Sequence, residues 1–268
     1  MMKKIIIILV LFISSILSQI EQPYPPITLV SVPTAGTLPK GYFAFENLFS
    51  KGGAITPKFS LGITDNFTIG MSYGIQDFIG DGEIKKNKSY PEVQLKYRIY
   101  EESATMPAMV LGIDTQGKGS YIESYIDPND TTSFTVLNRY EQKSLGIYFV
   151  LSRNWNALGN FGFHFGVNKN ISEDSDRDDD LNIFFGFDKE LNRSFSIFGE
   201  YNFARDDDDL IDADDIILRE GNGYLNAGIR WAATNNLMLE INFSDLAKND
   251  KNSNAVNREL KIIYFEQF

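Results

Sequence analysis

Cysteine is absent from the chain, which excludes a disulfide framework, a thiolate metal site and a lipid anchor on an N-terminal cysteine. Histidine occurs once, at His164, so no multi-histidine metal centre can form. Basic charge is in the minority, with 25 Lys and Arg against 36 Asp and Glu and a net charge of -11, the wrong balance for a nucleic-acid partner. Long apolar runs are missing after residue 18: no later segment holds the roughly 18 consecutive apolar residues of a spanning helix.

Residues 1–18 carry Lys3 and Lys4, an apolar run from Ile5 through Leu17, and Ser18 before Gln19, the charged, apolar and cleavage regions of a secretory signal. The alternative, a membrane anchor, needs roughly 20 apolar residues, more than this run supplies. Cleavage at Ser18/Gln19 would remove Lys3 and Lys4, leaving 25 − 2 = 23 bases against 36 acids. The acid concentrates in 173–180 and 205–215, between apolar segments, and so belongs to connections rather than to the body of the fold.

From Gly41 to the C-terminus the chain alternates apolar and polar residues, with breaks at Asn, Asp, Gly and Pro. Phe67, Ile69, Met71, Tyr73 and Ile75 alternate with Thr68, Gly70, Ser72 and Gly74; Leu225, Ala227, Ile229 and Trp231 follow the same rhythm. Twelve strands are predicted, over 41–50, 56–64, 66–75, 90–100, 106–115, 140–152, 157–168, 180–189, 193–204, 222–232, 235–245 and 257–268. Their connections alternate short and long, except that the first, 51–55, is brief; short turns at one end and long loops at the other mark the periplasmic and extracellular ends of a bacterial barrel. The predicted fold class is therefore all-β: a single antiparallel up-and-down transmembrane β-barrel over 41–268, with acidic extracellular loops and both termini periplasmic.

A soluble barrel would alternate too, with its apolar face inward. Here the polar face carries Gly62, Gly70, Gly112, Gly162, Gly166, Gly186 and Gly228, small residues suited to a crowded lumen, and 21 Phe and 13 Tyr supply interfacial girdles for the other face. The membrane reading is favoured. The chain ends with Leu260, Ile262, Tyr264 and Phe268 in one parity, resembling the C-terminal signal that outer-membrane proteins present to the barrel-insertion machinery; Glu266 departs from it. Residues 19–40, with Pro23, Pro25, Pro26, Pro33 and Pro39, cannot join a central strand and form either a free periplasmic tail or a lumen plug.

The predicted lumen face bears Glu46, Lys58, Lys96, Arg98, Asp114, Asp188, Glu200, Arg230, Glu240, Glu259 and Lys261, mixed charges expected to pair with one another. The alternative role for these residues is to set the selectivity of a channel. His164 faces the lumen, and no Ser with a third orienting group can be assigned to it, so no enzyme is predicted. Asp174, Asp176 and Asp178 have the two-residue spacing of a calcium loop, but Asp179 stands where Gly is needed and Phe185 where Glu is needed. Solvated surface loops are the favoured reading of this stretch and of 205–215, with weak divalent-ion binding beside lipopolysaccharide as the alternative. No cofactor is implied.

Five stretches, Pro33–Gly41, Leu61–Gly74, Gln94–Ile99, Asp180–Asp188 and Gly223–Trp231, together resemble the YjbH-like outer-membrane proteins, a family associated with exopolysaccharide production. The resemblance implies an outer-membrane barrel among lipid and lipopolysaccharide, and exopolysaccharide export components as partners. It brings no catalytic residues. Two functions stay open: passage of small solutes or polysaccharide, and a closed barrel presenting its loops.

Overall fold

The computed structural model describes residues 26–127, 130–156, 159–173, 178–207, 219–250 and 255–268. The expected signal peptide and its cleavage site lie outside them, as do Asp174 and Asp176. Strands run in chain order as β1 (Tyr42–Ser50), β2 (Ala54–Thr64), β3 (Phe67–Ser72), β4 (Ile75–Gln76), β5 (Lys85–Lys86), β6 (Glu92–Tyr100), β7 (Ala108–Asp114) and β8 (Lys118–Asp127). They continue as β9 (Asp130–Gln142), β10 (Gly146–Asn156), β11 (Asn160–Lys169), β12 (Asn182–Glu190), β13 (Phe195–Asn202), β14 (Tyr224–Ala232), β15 (Leu237–Ser244) and β16 (Asn257–Gln267). Strands β1, β2, β3, β6, β7 and β10 to β16 form a ring of twelve antiparallel strands, each paired with its neighbours in the chain.

Strand β1 pairs with β2 on one side and β16 on the other, from Tyr42↔Gln267 to Phe49↔Leu260, and that last ladder closes the barrel. Closure leaves the ring without an edge, which is what allows a sheet to stand in lipid with every ladder group paired. Tyr264 and Phe268 lie at this seam, where the Phe268 amide donates to the Gly41 carbonyl at 2.9 Å.

The alternation read from the sequence sets which face is which. Ile229, Leu111 and Ile241 are 46–53% exposed, whereas Lys96, Arg230 and Glu240, of the opposite parity, are buried. Large apolar side chains cover the outside as a continuous belt, a surface that water would drive to aggregate and a bilayer would cover. Aromatic contacts gather at its rims: Trp155–Phe161–Phe187, Phe195–Trp231 and Phe43–Tyr264 toward the short turns, Phe185–Tyr201–Phe203 toward the long loops.

Two connections hold structure that alternation did not reveal. The loop expected at 116–139 is a hairpin, β8 with β9, and residues 140–142 end that hairpin rather than beginning barrel strand β10. Within 76–89, β4 and β5 form a small second hairpin, whose Ile75 pairs with Ile55 to extend the sheet beyond the ring. Both hairpins stand at the long-loop end, where strands extend past the barrel wall and the two-residue rhythm runs on without marking where the ring stops.

The lumen is filled. Residues 27–38 lie inside the barrel as a short hairpin, with a bridge between Thr28 and Pro33 and amide-to-carbonyl bonds from Leu29 to Val32 and from Thr34 to Ile27. Leu29, Val30, Val32 and Ala35 pack against Val110, Tyr148, Val150, Phe184 and Phe198. Leu38 closes the short-turn end with Ala44, Met238, Ile263 and Phe265. Lumen glycines admit these groups: a Cβ on Gly186 would meet Leu29 at 2.4 Å, and one on Gly62 would lie 2.0 Å from the Pro39 carbonyl oxygen. The Gly62→Ala variant is therefore expected to push the 38–39 backbone away from the wall at about 1–3 kcal/mol. Urea unfolding in lipid vesicles measures the loss, and hydrogen exchange at residues 35–41 locates it.

Candidate functional site

The polar lumen residues are organised around the inserted hairpin. At its tip the amides of Val30, Ser31 and Val32 donate to the Glu200 carboxylate of β13 at 2.9–3.1 Å, the Ser31 hydroxyl adds a fourth bond, and Asn226 Nδ2 donates to the same carboxylate at 2.7 Å. A tight loop turns its successive N–H groups one way, and an anion seated on them satisfies donors that would otherwise be buried unpaired. At the base the Lys96 ammonium of β6 takes the complementary part: it donates to the carbonyls of Ile27, Thr34 and Gly36 at 2.7–3.2 Å. These two residues, expected to pair with other lumen charges, spend their charge on the hairpin backbone instead.

A third anchor runs through His164. The Ala35 amide donates to Ser152 Oγ at 2.7 Å, Ser152 Oγ lies 2.7 Å from His164 Nδ1, and His164 Nε2 lies 2.8 Å from Asp188 Oδ1. The Asp188 carboxylate requires the N–H at Nε2, so in the neutral ring Nδ1 accepts from the Ser152 hydroxyl. The sequence reading found no serine and no orienting group for His164; the barrel supplies both, because Ser152↔His164 and His164↔Gly186 are cross-strand pairs and Asp188 is two residues along β12. The three residues are those of a nucleophilic triad, but Ser152 is buried beneath the Ala35 amide and its hydroxyl serves as a link between wall and hairpin.

Other predicted lumen charges do pair with each other or with nearby polar groups. Arg230 reaches Glu240 at 2.6 Å, Lys261 lies 3.2 Å from the second oxygen of that carboxylate, and Glu259 meets Lys118 at 2.9 Å. Asp114 accepts from Gln94 Nε2 and from the Gln116 amide. Arg98 sits at the short-turn rim on the Asp65 carbonyl and Asn66. Glu46 and Lys58 face one another across β1 and β2 and border a cavity of about 160 Å³ that lies between the hairpin tip and the long-loop end.

Above that cavity the long connections are joined by ion pairs. Asp207 holds Arg139 of the β8–β9 hairpin and lies 3.2 Å from Arg219; Arg219 reaches Asp250 at 3.3 Å, and Lys51 bridges Asp250 and Glu141 at 3.0 Å to each. Lys88 meets Glu92 at 2.7 Å under the rings of Tyr121 and Tyr140. The expectation of solvated acidic loops is corrected here for part of the acid: Glu173, Asp178, Asp206 and Asp207 are buried, while Asp179 and Asp180 are exposed. Composition alone showed a run of acid, while the arginines that bury part of it come from other connections. Glu173 accepts from the amides of Tyr140 and Ser144, and the Asp178 backbone carbonyl accepts from Lys143. Burial, with the charge of Asp207 beside it, pushes the Asp206 carboxyl up to about 7.

No protein-family model and no curated protein matches the chain. Among solved structures it is similar to the KdgM porin at a TM-score of 0.48 and 9% identity, over 83% of this chain and 98% of that one. It is similar also to the NanC porin (0.42, 10%, covering 84% and 99%) and to a loop-deleted OmpT of Vibrio cholerae (0.32, 9%, covering 84% and 97%). The barrel described above stands on its own ladders and not on these likenesses.

Removing the carboxylate in Asp207→Ala leaves Arg139 and Arg219 buried without it and is expected to cost about 3–5 kcal/mol, read as a lower urea midpoint in vesicles. A pH dependence follows from Asp206. The folded protein holds its proton to about pH 7 while an unfolded chain releases it near the ordinary value of 3.8. Between those values the folded state binds more protons, so stability falls as pH rises through that window. Hydrogen exchange of the 203–207 amides, corrected for intrinsic rate, is expected to rise from pH 5 to pH 8, and Asp206→Asn to abolish the rise.

Proposed function

We propose that this chain is an outer-membrane barrel forming a gated passage for small solutes, closed here by its own N-terminal hairpin. The outward apolar belt with aromatic rims supports the membrane location, and the short turns with both described chain ends beside them support a periplasmic position for that end. The observation that carries the passage reading is how the lumen is filled. A barrel closed for good would be plugged by side chains of its own wall; here Glu200, Lys96 and Ser152 find their partners on the backbone of a separate segment, through reversible hydrogen bonds.

The hairpin enters and leaves by the same end, since Pro26 and Leu38 both lie toward the short turns, and so can withdraw without threading. Its removal would bare a lumen lined by Lys96, Glu200, Arg230 and Glu240. A filled lumen of this kind favours small solutes over an exopolysaccharide chain, which needs a continuous bore.

Planar-bilayer conductance tests the reading. Wild-type protein is expected to stay closed for most of the record, and Glu200→Ala, which removes the anion from the hairpin tip, to raise open probability at least tenfold. In that background the pair Ser31→Cys and Asn226→Cys, at side chains 3.4 Å apart in a chain with no other cysteine, is expected to restore closure under oxidation and release it under reductant. A folded variant lacking residues 27–38 that conducts no better than wild type would sink the passage and leave a closed structural barrel.

A further inference from the structure

We propose that the cavity above the hairpin tip is a binding site for a small zwitterion, a free α-amino acid, whose ammonium is taken by Glu46 and whose carboxylate is taken by Lys58. The site deepens the passage reading and rests on it only for how the solute leaves.

Six adjacent strands, β16, β1, β2, β3, β6 and β7, present Lys261, Glu46, Lys58, Ser72, Gln94 and Asp114 to this cavity in that order. Four of them are engaged by the wall. Lys261 is held by Glu240, Asp114 takes two N–H donors, and Ser72 and Gln94 bond to each other. Glu46 and Lys58 are not engaged. They occupy directly opposed positions on β1 and β2, a spacing at which opposite charges readily join, yet among the described residues neither side chain has a hydrogen bond or an ion pair.

The chemistry of the missing partner follows from these two groups. A half-buried carboxylate and a half-buried ammonium side by side are satisfied together by a ligand that carries both charges, through charge-assisted hydrogen bonds. A cation alone would gain Glu46 but stand beside Lys58 and Lys261; an anion alone would gain Lys58 and stand beside Glu46 and Asp114. The volume of about 160 Å³ sets the size, since a cavity near this volume takes a molecule as large as benzene. Thr28 and Ser31 of the hairpin form its floor, so the solute would rest on the closed gate.

Calorimetry on the full-length barrel in detergent micelles tests the site with three probes of one skeleton: L-alanine, its cation-only amide L-alaninamide, and anion-only N-acetyl-L-alanine. L-alanine is expected to bind saturably and at least tenfold more tightly than either analogue. Glu46→Gln and Lys58→Met are each expected to weaken it at least tenfold, while the heat-modifiable mobility of the folded barrel is unchanged. Absent binding, binding blind to charge, or folded variants that bind as wild type would overturn the site; should a variant fail to fold, the probe series on wild-type protein decides. Calorimetry does not require passage. A hairpin-free barrel that fails to conduct removes the passage and leaves the site, and charge-blind binding does the reverse.

Discussion

The structure depends on one constraint: a ring of twelve strands must satisfy the polar groups inside it, and the wall cannot do so alone. Glu200 shows the solution. Its carboxylate points into a space where, among the described residues, no arginine or lysine meets it, and the hairpin tip brings three amides and a hydroxyl to it. Lys96 meets the opposite need with three carbonyls at the base. Between them the apolar side chains of Leu29 and Val32 can be buried against Phe184 and Phe198, because the backbone that carries them has its donors and acceptors answered. Strip away either charge and the hairpin would carry unsatisfied amides or carbonyls into a nearly dry interior.

The same logic operates at the two ends with different means. At the short-turn end the seal is apolar, Leu38 among Ala44, Met238, Ile263 and Phe265. At the long-loop end it is ionic, running from Lys51 through Asp250, Arg219 and Asp207 to Arg139, and it ties together four connections far apart in the chain. Salt and pH act on the second seal and leave the first untouched.

Much of the barrel was legible because its physics is local. The parity of Ile229 and Arg230, one outward and one inward, needs only neighbouring residues, and all twelve strands follow from such alternation with turn residues between them. The lumen charges were legible for the same reason. Their partners were not: Glu200 and Val30 are 170 residues apart, and nothing local in either tells of the other. Ser152, His164 and Asp188 come together only through register, which two separate ladders supply. The burial of Asp206 and Asp207 was hidden because a run of acid reads as solvated until the arginines that meet it are placed. The β8–β9 hairpin was missed because a protruding ribbon has the same backbone as the wall it leaves.

The position of the hairpin in the chain has a consequence for assembly. It precedes β1, and the ring is complete only when β1 finds β16, the last strand made. The wall positions that grip it, Lys96, Ser152, Glu200 and Arg230, are spread over β6, β10, β13 and β14, so they surround it only when the sheet is curled into a ring. An unfinished sheet would be both open at its side and empty at its centre, with every polar group meant for residues 27–38 still wet. Plug and ring thus depend on each other: the hairpin has its polar partners only inside the closed wall, and the wall has them only around the hairpin.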